Sequence, residues 1–154
     1  HIMLEMMYEE NRTPLALAAA QATGLPVWFG LSARRSDAGN IISFNLAEES
    51  PLETIINFIP ETGIDVVNVM HTQPQAVSDT IEMVRKRFTG PIGVYPDSGY
   101  FEMPDWNFNE VIPAEKLEGF YSEWVNNGVQ LIGGCCGLTI DHIQAAQRVK
   151  TAAK

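Results

Sequence analysis

The chain has 154 residues, 45% of them hydrophobic, and its ten Lys and Arg face nineteen Asp and Glu for a formal charge of −9. That length holds one ordinary domain, and so acidic a balance without an extended basic patch argues against a nucleic-acid partner. No apolar stretch reaches the roughly 18 residues of a membrane-spanning helix and no secretory leader pattern is present, so the expected setting is cytoplasmic, with no membrane partner.

In chain order, the first apolar run, at about residues 2–7, carries an isolated carboxylate, Glu5. A carboxylate within an apolar strand needs a partner, and a ligand's ammonium group, Arg34 or Arg35, or a structural ion pair would each serve. Thr13-Pro14 marks a helix start, with the helix expected over about 14–23 and a left-handed cap at Gly24. A second strand is expected at about 26–33, followed by a long connection, 34–49. Ser50-Pro51-Leu52-Glu53 reads as a capping box opening a helix over about 51–62, again closed by a glycine, Gly63.

The third strand, about 65–70, ends at His71, and Pro74 fits the first turn of a helix over about 74–88. Gly90 follows in the same cap role. The fourth strand, about 91–96, leads through Asp97, Ser98 and Gly99 into the second long connection, 97–112. Pro113 opens a helix over about 113–127, capped at Gly128; the fifth strand, about 129–134, meets Gly133-Gly134-Cys135-Cys136-Gly137, and Thr139 begins a last helix over about 140–152. Each apolar run lacks strict alternation, as in a parallel sheet covered on both faces. Five strand–helix units joined by short turns define an α/β fold with parallel strands and right-handed crossovers. No phosphate-binding glycine fingerprint follows any strand, and a closed eightfold barrel needs about 250 residues, more than are present.

Polar residues gather where the strands end, which is where parallel α/β folds keep their chemistry. Adjacent Cα atoms lie about 3.8 Å apart, too close for an unstrained disulfide between Cys135 and Cys136. Two readings of the pair stay open: half of a zinc site, or small buried residues in a tight turn. His71 is the natural third ligand, with a solvent-facing or helix-capping histidine as the alternative. His142 is expected at the surface. Asp97 and Ser98 either form an ordinary turn with Gly99 or orient a substrate. Trp28, Trp106 and Trp124 are expected to pack the core or a loop, and Trp106 is placed to cover a ligand.

Together these residues resemble the zinc-dependent homocysteine S-methyltransferases, which are (β/α)8 TIM barrels. "GGCCGLTIDHI" at 133–143 looks like the end of that family's last strand, "VYPDSG" at 94–99 like the preceding one, and "LEMM" and "LPVWFGLSAR" like the fourth and fifth. The resemblance implies that residues 1–154 are the C-terminal part of such a barrel, about five βα units, with the first three absent. It also implies Zn2+ as cofactor, with Cys135 and Cys136 as two ligands. The family's third cysteine aligns with His71, giving an expected Cys2His site that is formally neutral with two thiolates and an imidazole. Glu5 is implied as a contact for the amino acid's ammonium group, with Asp97 and Ser98 as further substrate contacts; Asp97 stands where the family has Asn.

The implied reaction is methyl transfer from a small-molecule donor to the thiol of homocysteine, giving methionine, with zinc activating the thiolate. S-methylmethionine, S-adenosylmethionine, betaine and methylfolate are all compatible donors. Two alternatives are kept: a methyltransferase acting on another thiol, and a non-catalytic half-barrel that binds metal or a ligand. With the first three units absent, the chain alone is expected to be inactive, or another chain or the remaining barrel half is expected to cover its exposed sheet edges.

Overall fold

A computed structural model describes residues 1–102 and 104–152, with the backbone alone at 100–102. In chain order the elements are β1 (Ile2–Met7), α1 (Thr13–Gln21), β2 (Val27–Leu31), β3 (Ala33–Arg35), β4 (Ile41–Ser43), α2 (Leu52–Ile56) and β5 (Val66–Met70). There follow α3 (Pro74–Arg85), β6 (Ile92–Tyr95), β7 (Tyr100–Glu102), β8 (Asp105–Asn107), α4 (Ala114–Asn126), β9 (Leu131–Ile132) and α5 (Ile140–Ala152). The expected five strands pair in parallel in the order β1-β2-β5-β6-β9. Each crossover carries a helix, as parallel pairing requires.

The two faces of this sheet differ. Partners in a parallel ladder point to the same side, so Phe29, Val67 and Ile92 form one row and Leu31, Val69 and Val94 the next. These residues are 0–1% exposed and share a core with side chains from all five helices, among them Leu17, Leu52, Val77, Leu117, Trp124 and Val149. Burying each large apolar side chain of this kind contributes about 1.5–3 kcal/mol relative to leaving it in water. The opposite face carries Met3, Trp28, Gly30, Asn68, Gly93, Tyr95 and Leu131 and is partly open, with Met3 39% exposed. The expectation of strands covered on both faces therefore holds for one face only. The helices lie on one side, and the described residues supply no layer for the other.

Both long connections contain an antiparallel hairpin, β3–β4 and β7–β8, where the sequence suggested loops. Strands of three residues are too short to show an alternation. Helix α2 is five residues long rather than about twelve, and no side chain caps its start, so the expected capping box does not form. Ser50 is instead drawn into the hairpin, where its carbonyl accepts from Ser43 N–H at 2.9 Å. Gly24, Gly63 and Gly128 take positive φ as expected, but Gly90 does not. Its requirement is space: a Cβ there would strike the ring of Phe88.

Candidate metal centre

His71 is the residue at which β5 stops being a strand. Its φ is +46°, a left-handed conformation that a non-glycine residue holds only when its surroundings compel it, at about 1–3 kcal/mol. They do so from both sides. His71 N–H donates to Tyr95 O at 3.1 Å, while the Thr72 hydroxyl donates to Met70 O at 2.8 Å and accepts from Ala33 N–H at 3.0 Å. The imidazole is 5% exposed and stands edge-on between Phe44, 4.8 Å between centroids, and Trp106, 5.1 Å. Phe44 follows β4 and Trp106 lies in β8, so each hairpin contributes one wall.

The cysteines lie on the turn after β9. Cys135 N–H donates to Pro96 O at 2.8 Å, Ser98 N–H donates to Cys136 O at 2.9 Å, and Leu138 N–H closes back on Cys135 O at 3.2 Å. Gly137, at φ +78°, lies so close to Ser98 O that no side chain fits between them. The turn brings both sulfurs to one side, 3.8 Å apart, with Cys135 Sγ 3.6 Å from His71 Nδ1. One ligand atom from each of His71, Cys135 and Cys136 lies within 4.8 Å of the others.

These spacings suit a particular ion. Tetrahedral zinc, with Zn–S of about 2.3 Å and Zn–N of about 2.0–2.1 Å, has donor edges of about 3.8 Å between sulfurs and about 3.6 Å between sulfur and nitrogen. The Cys135–His71 and Cys135–Cys136 edges match these, and the Cys136–His71 edge lies within 4.8 Å. Burial pushes the Cys135 thiol up to about 12, with Cys136 and Asp97 adding to the rise against a backbone hydrogen bond that lowers it, and burial lowers His71. Both shifts favour the neutral forms, and a neutral imidazole is the form that ligates a metal.

Asp97 is 3% exposed, and its carboxylate is raised to about 6, chiefly by burial. Its Oδ2 is 3.9 Å from His71 Nε2, and its Oδ1 has no hydrogen-bond partner among the described residues. The Ser98 hydroxyl accepts from Ile112 N–H at 2.8 Å. Both residues border a cavity of about 300 Å³ between the starts of α3 and α4, lined also by Gln73, Ile112, Pro113 and Lys116.

Glu5 is exposed, and neither arginine reaches it. Arg34 donates to Asn45 O at 3.2 and 3.0 Å, and Arg35 pairs with Asp79 at 2.5 Å. Its partner is Tyr95, whose hydroxyl hydrogen-bonds the Glu5 carboxylate; burial, followed by that negative charge, raises the phenol. His142, expected at the surface, is 5% exposed: its Nδ1 accepts from Thr139 N–H at 3.0 Å, so its Nε2–H donates to Ile112 O at 2.7 Å. Trp124 is core, Trp28 stacks on His1 at 4.9 Å, and Trp106 covers His71. Sequence reasoning missed Phe44, Thr72 and Tyr95. Tyr95 and Thr72 left a signal, since Tyr95 stands inside "VYPDSG" and Thr72 opens the Thr-x-Pro that follows His71.

The sequence profile of the family described as "Homocysteine S-methyltransferase" matches residues 1–149. Among curated proteins, the chain is 27% identical over 128 residues to "Selenocysteine methyltransferase" of Astragalus bisulcatus, aligning over 80% of this chain and 36% of that one. It is 29% identical over 127 residues to "Homocysteine S-methyltransferase 2" of Zea mays, with the same coverage. The chain thus spans about a third of the curated relatives it matches. In structure it is similar to the metallated form of the homocysteine methyltransferase MmuM from Escherichia coli, with a TM-score of 0.68 and 18% identity over 95% of this chain and 43% of that one. The apo form matches equally, at a TM-score of 0.68. The fold is accordingly that of part of a (β/α)8 barrel, with the half-open face turned where the barrel interior lies.

Proposed function

Because the chain belongs to the homocysteine S-methyltransferase family, we propose that it serves methyl transfer to the thiol of homocysteine, giving methionine, at a zinc ion held by His71, Cys135 and Cys136. The observation that carries this reading is the donor triangle, whose 3.6 and 3.8 Å edges suit tetrahedral zinc with a fourth position left for substrate. When bound, zinc supplies a Lewis acid at which a substrate thiol loses its proton at neutral pH.

The chain's own groups do the rest. Cys135 and Cys136 give up their protons to ligate, and His71 offers Nδ1 without a proton to lose. Phe44 and Trp106 flank the imidazole and exclude water from it, which strengthens electrostatic interactions there. Glu5 holds the amino acid's ammonium group, its carboxylate aimed by the Tyr95 hydroxyl. Asp97 and Ser98, expected from the sequence as substrate contacts, border the cavity between α3 and α4, so in this reading they support the donors from behind.

The half-open inner face favours a second reading, in which the chain binds zinc but turns over only when another chain, or the remainder of a barrel, covers that face. Metal analysis and assay decide between them. Protein made in zinc-supplemented medium is expected to carry near-stoichiometric zinc, and its absence refutes the metal site. Homocysteine methylation, tested with each candidate donor in turn, then separates a competent chain from one that only binds metal. Zinc without turnover from any donor, even after the face is covered by the remaining barrel units, refutes the homocysteine assignment.

A further inference from the structure

We infer that Asp97 is a positioning residue for His71: Nδ1 of the imidazole is the ligating nitrogen, and Nε2 carries the proton, directed at the Asp97 carboxylate. This rests on the metal site proposed above. Each ring nitrogen faces one polar side chain, Nδ1 toward Cys135 Sγ at 3.6 Å and Nε2 toward Asp97 Oδ2 at 3.9 Å. Phe44 and Trp106 meet the ring edge-on at 74° and 78°, so a ring flip that would put carbons where the two nitrogens stand has to pass an aromatic wall.

Asp97 has few other tasks. A carboxylate that is 3% exposed is costly without a cation or N–H donor beside it; its own backbone N–H offsets part of that cost, and the ring nitrogen that faces it is His71 Nε2. It does not cap α3, which begins at Pro74 with no side-chain cap bond. Its Oδ1 is an unpartnered buried acceptor. An imidazole that ligates a dication through one nitrogen becomes a stronger donor at the other, and a carboxylate there fixes the tautomer and raises ligand basicity. At 3.9 Å the contact acts through charge, which falls off slowly with distance in a buried setting.

The pairing also sets the charge of the site. Zinc with two thiolates and a neutral imidazole is formally neutral, and Asp97 adds one negative charge just outside it. A cysteine at position 71 would bring that charge into the ligand set itself and would have no second nitrogen for Asp97 to hold. His71 and Asp97 are therefore expected to work as a pair.

Zinc affinity of the whole chain, measured by competition with a chromophoric chelator, tests this as a double-mutant cycle. Asp97→Asn is expected to weaken zinc about 10–100-fold in the wild-type background, and to change it less than about twofold in a His71→Cys background. Equal losses in both backgrounds, or no loss in the first, overturn the inference; a wild-type chain that fails to bind zinc refutes the metal site itself. Cobalt substitution adds a spectroscopic reading, since Asp97→Asn is expected to shift the ligand-field bands only when His71 is present. Should Asp97→Asn fold poorly, nitrogen-15 NMR of His71 in the zinc-loaded wild type decides alone. A protonated Nε2 is expected, and a protonated Nδ1 overturns the assignment.

Discussion

Gly93→Ala tests the packing beneath the centre. Gly93 on β6 pairs with Asn68 on β5, which pairs in turn with Gly30 on β2, so one buried amide lies between two glycines. A Cβ at position 93 would collide with Asn68 Oδ1 and sit 3.4 Å from Leu131 Cβ. Asn68 is 1% exposed, and its Nδ2 has no hydrogen-bond partner among the described residues. It has no free space to move into on the other side, where a Cβ on Gly30 would itself meet Leu4 O at 2.7 Å and Tyr95 Oη at 3.1 Å. Overpacking a filled site costs about 1–3 kcal/mol, and confinement from both strands places this one at about 2–3 kcal/mol. At about 2–4 °C per kcal/mol for a chain of this size, Tm falls by about 4–12 °C in a thermal melt followed by circular dichroism. Gly119→Ala is the control of opposite sign. Its Cβ meets nothing within 4 Å in the exposed middle of α4, so it stabilises by about 0.5–1 kcal/mol. An unchanged Tm for Gly93→Ala refutes the packing reasoning.

Zinc at about a hundred times its Kd stabilises the fold by about 2.7 kcal/mol, and so raises Tm by about 5–11 °C, reversibly with a chelator; a metal-independent Tm speaks against a folded-state site. Glu5→Gln is expected to weaken homocysteine binding about tenfold by calorimetry while leaving zinc content unchanged, as loss of a charge-assisted hydrogen bond implies. Unchanged binding removes Glu5 from the substrate site. His142→Leu leaves Ile112 O and Thr139 N–H unpaired in a buried position, and is expected to cost about 1–3 kcal/mol in chemical denaturation without altering zinc affinity.

The five parallel strands were legible because each is an apolar run entered from a helix end, and that pattern has a single economical solution in an α/β sheet. The ends of the strands were legible for the same reason: Cys135, Cys136 and His71 stand at the breaks in those runs, and the fold brings such breaks to one edge. What the sequence concealed depends on contacts across long separations. Phe44 and Trp106 meet His71 from three-residue hairpins that carry no readable period, and Glu5 finds Tyr95 ninety positions away instead of an arginine nearby. His142 looked like a surface residue on a first turn, but the Ile112 carbonyl arrives from the other long connection to claim it. The capping box at Ser50 failed because the β3–β4 hairpin took the Ser50 carbonyl into its own ladder.

The two backbone bonds that join the cysteine turn to residues 96–98 also bear on how such a centre can be inherited or transplanted. Cys135 N–H leans on Pro96 O, Ser98 N–H leans on Cys136 O, and Gly137 has room only for a hydrogen against Ser98 O. The paired cysteines are thus one half of a two-loop unit. Grafted alone onto another barrel they would arrive without the strand end that sets their spacing, and sequence drift in 96–98 acts on the sulfurs as directly as drift in the cysteine turn itself.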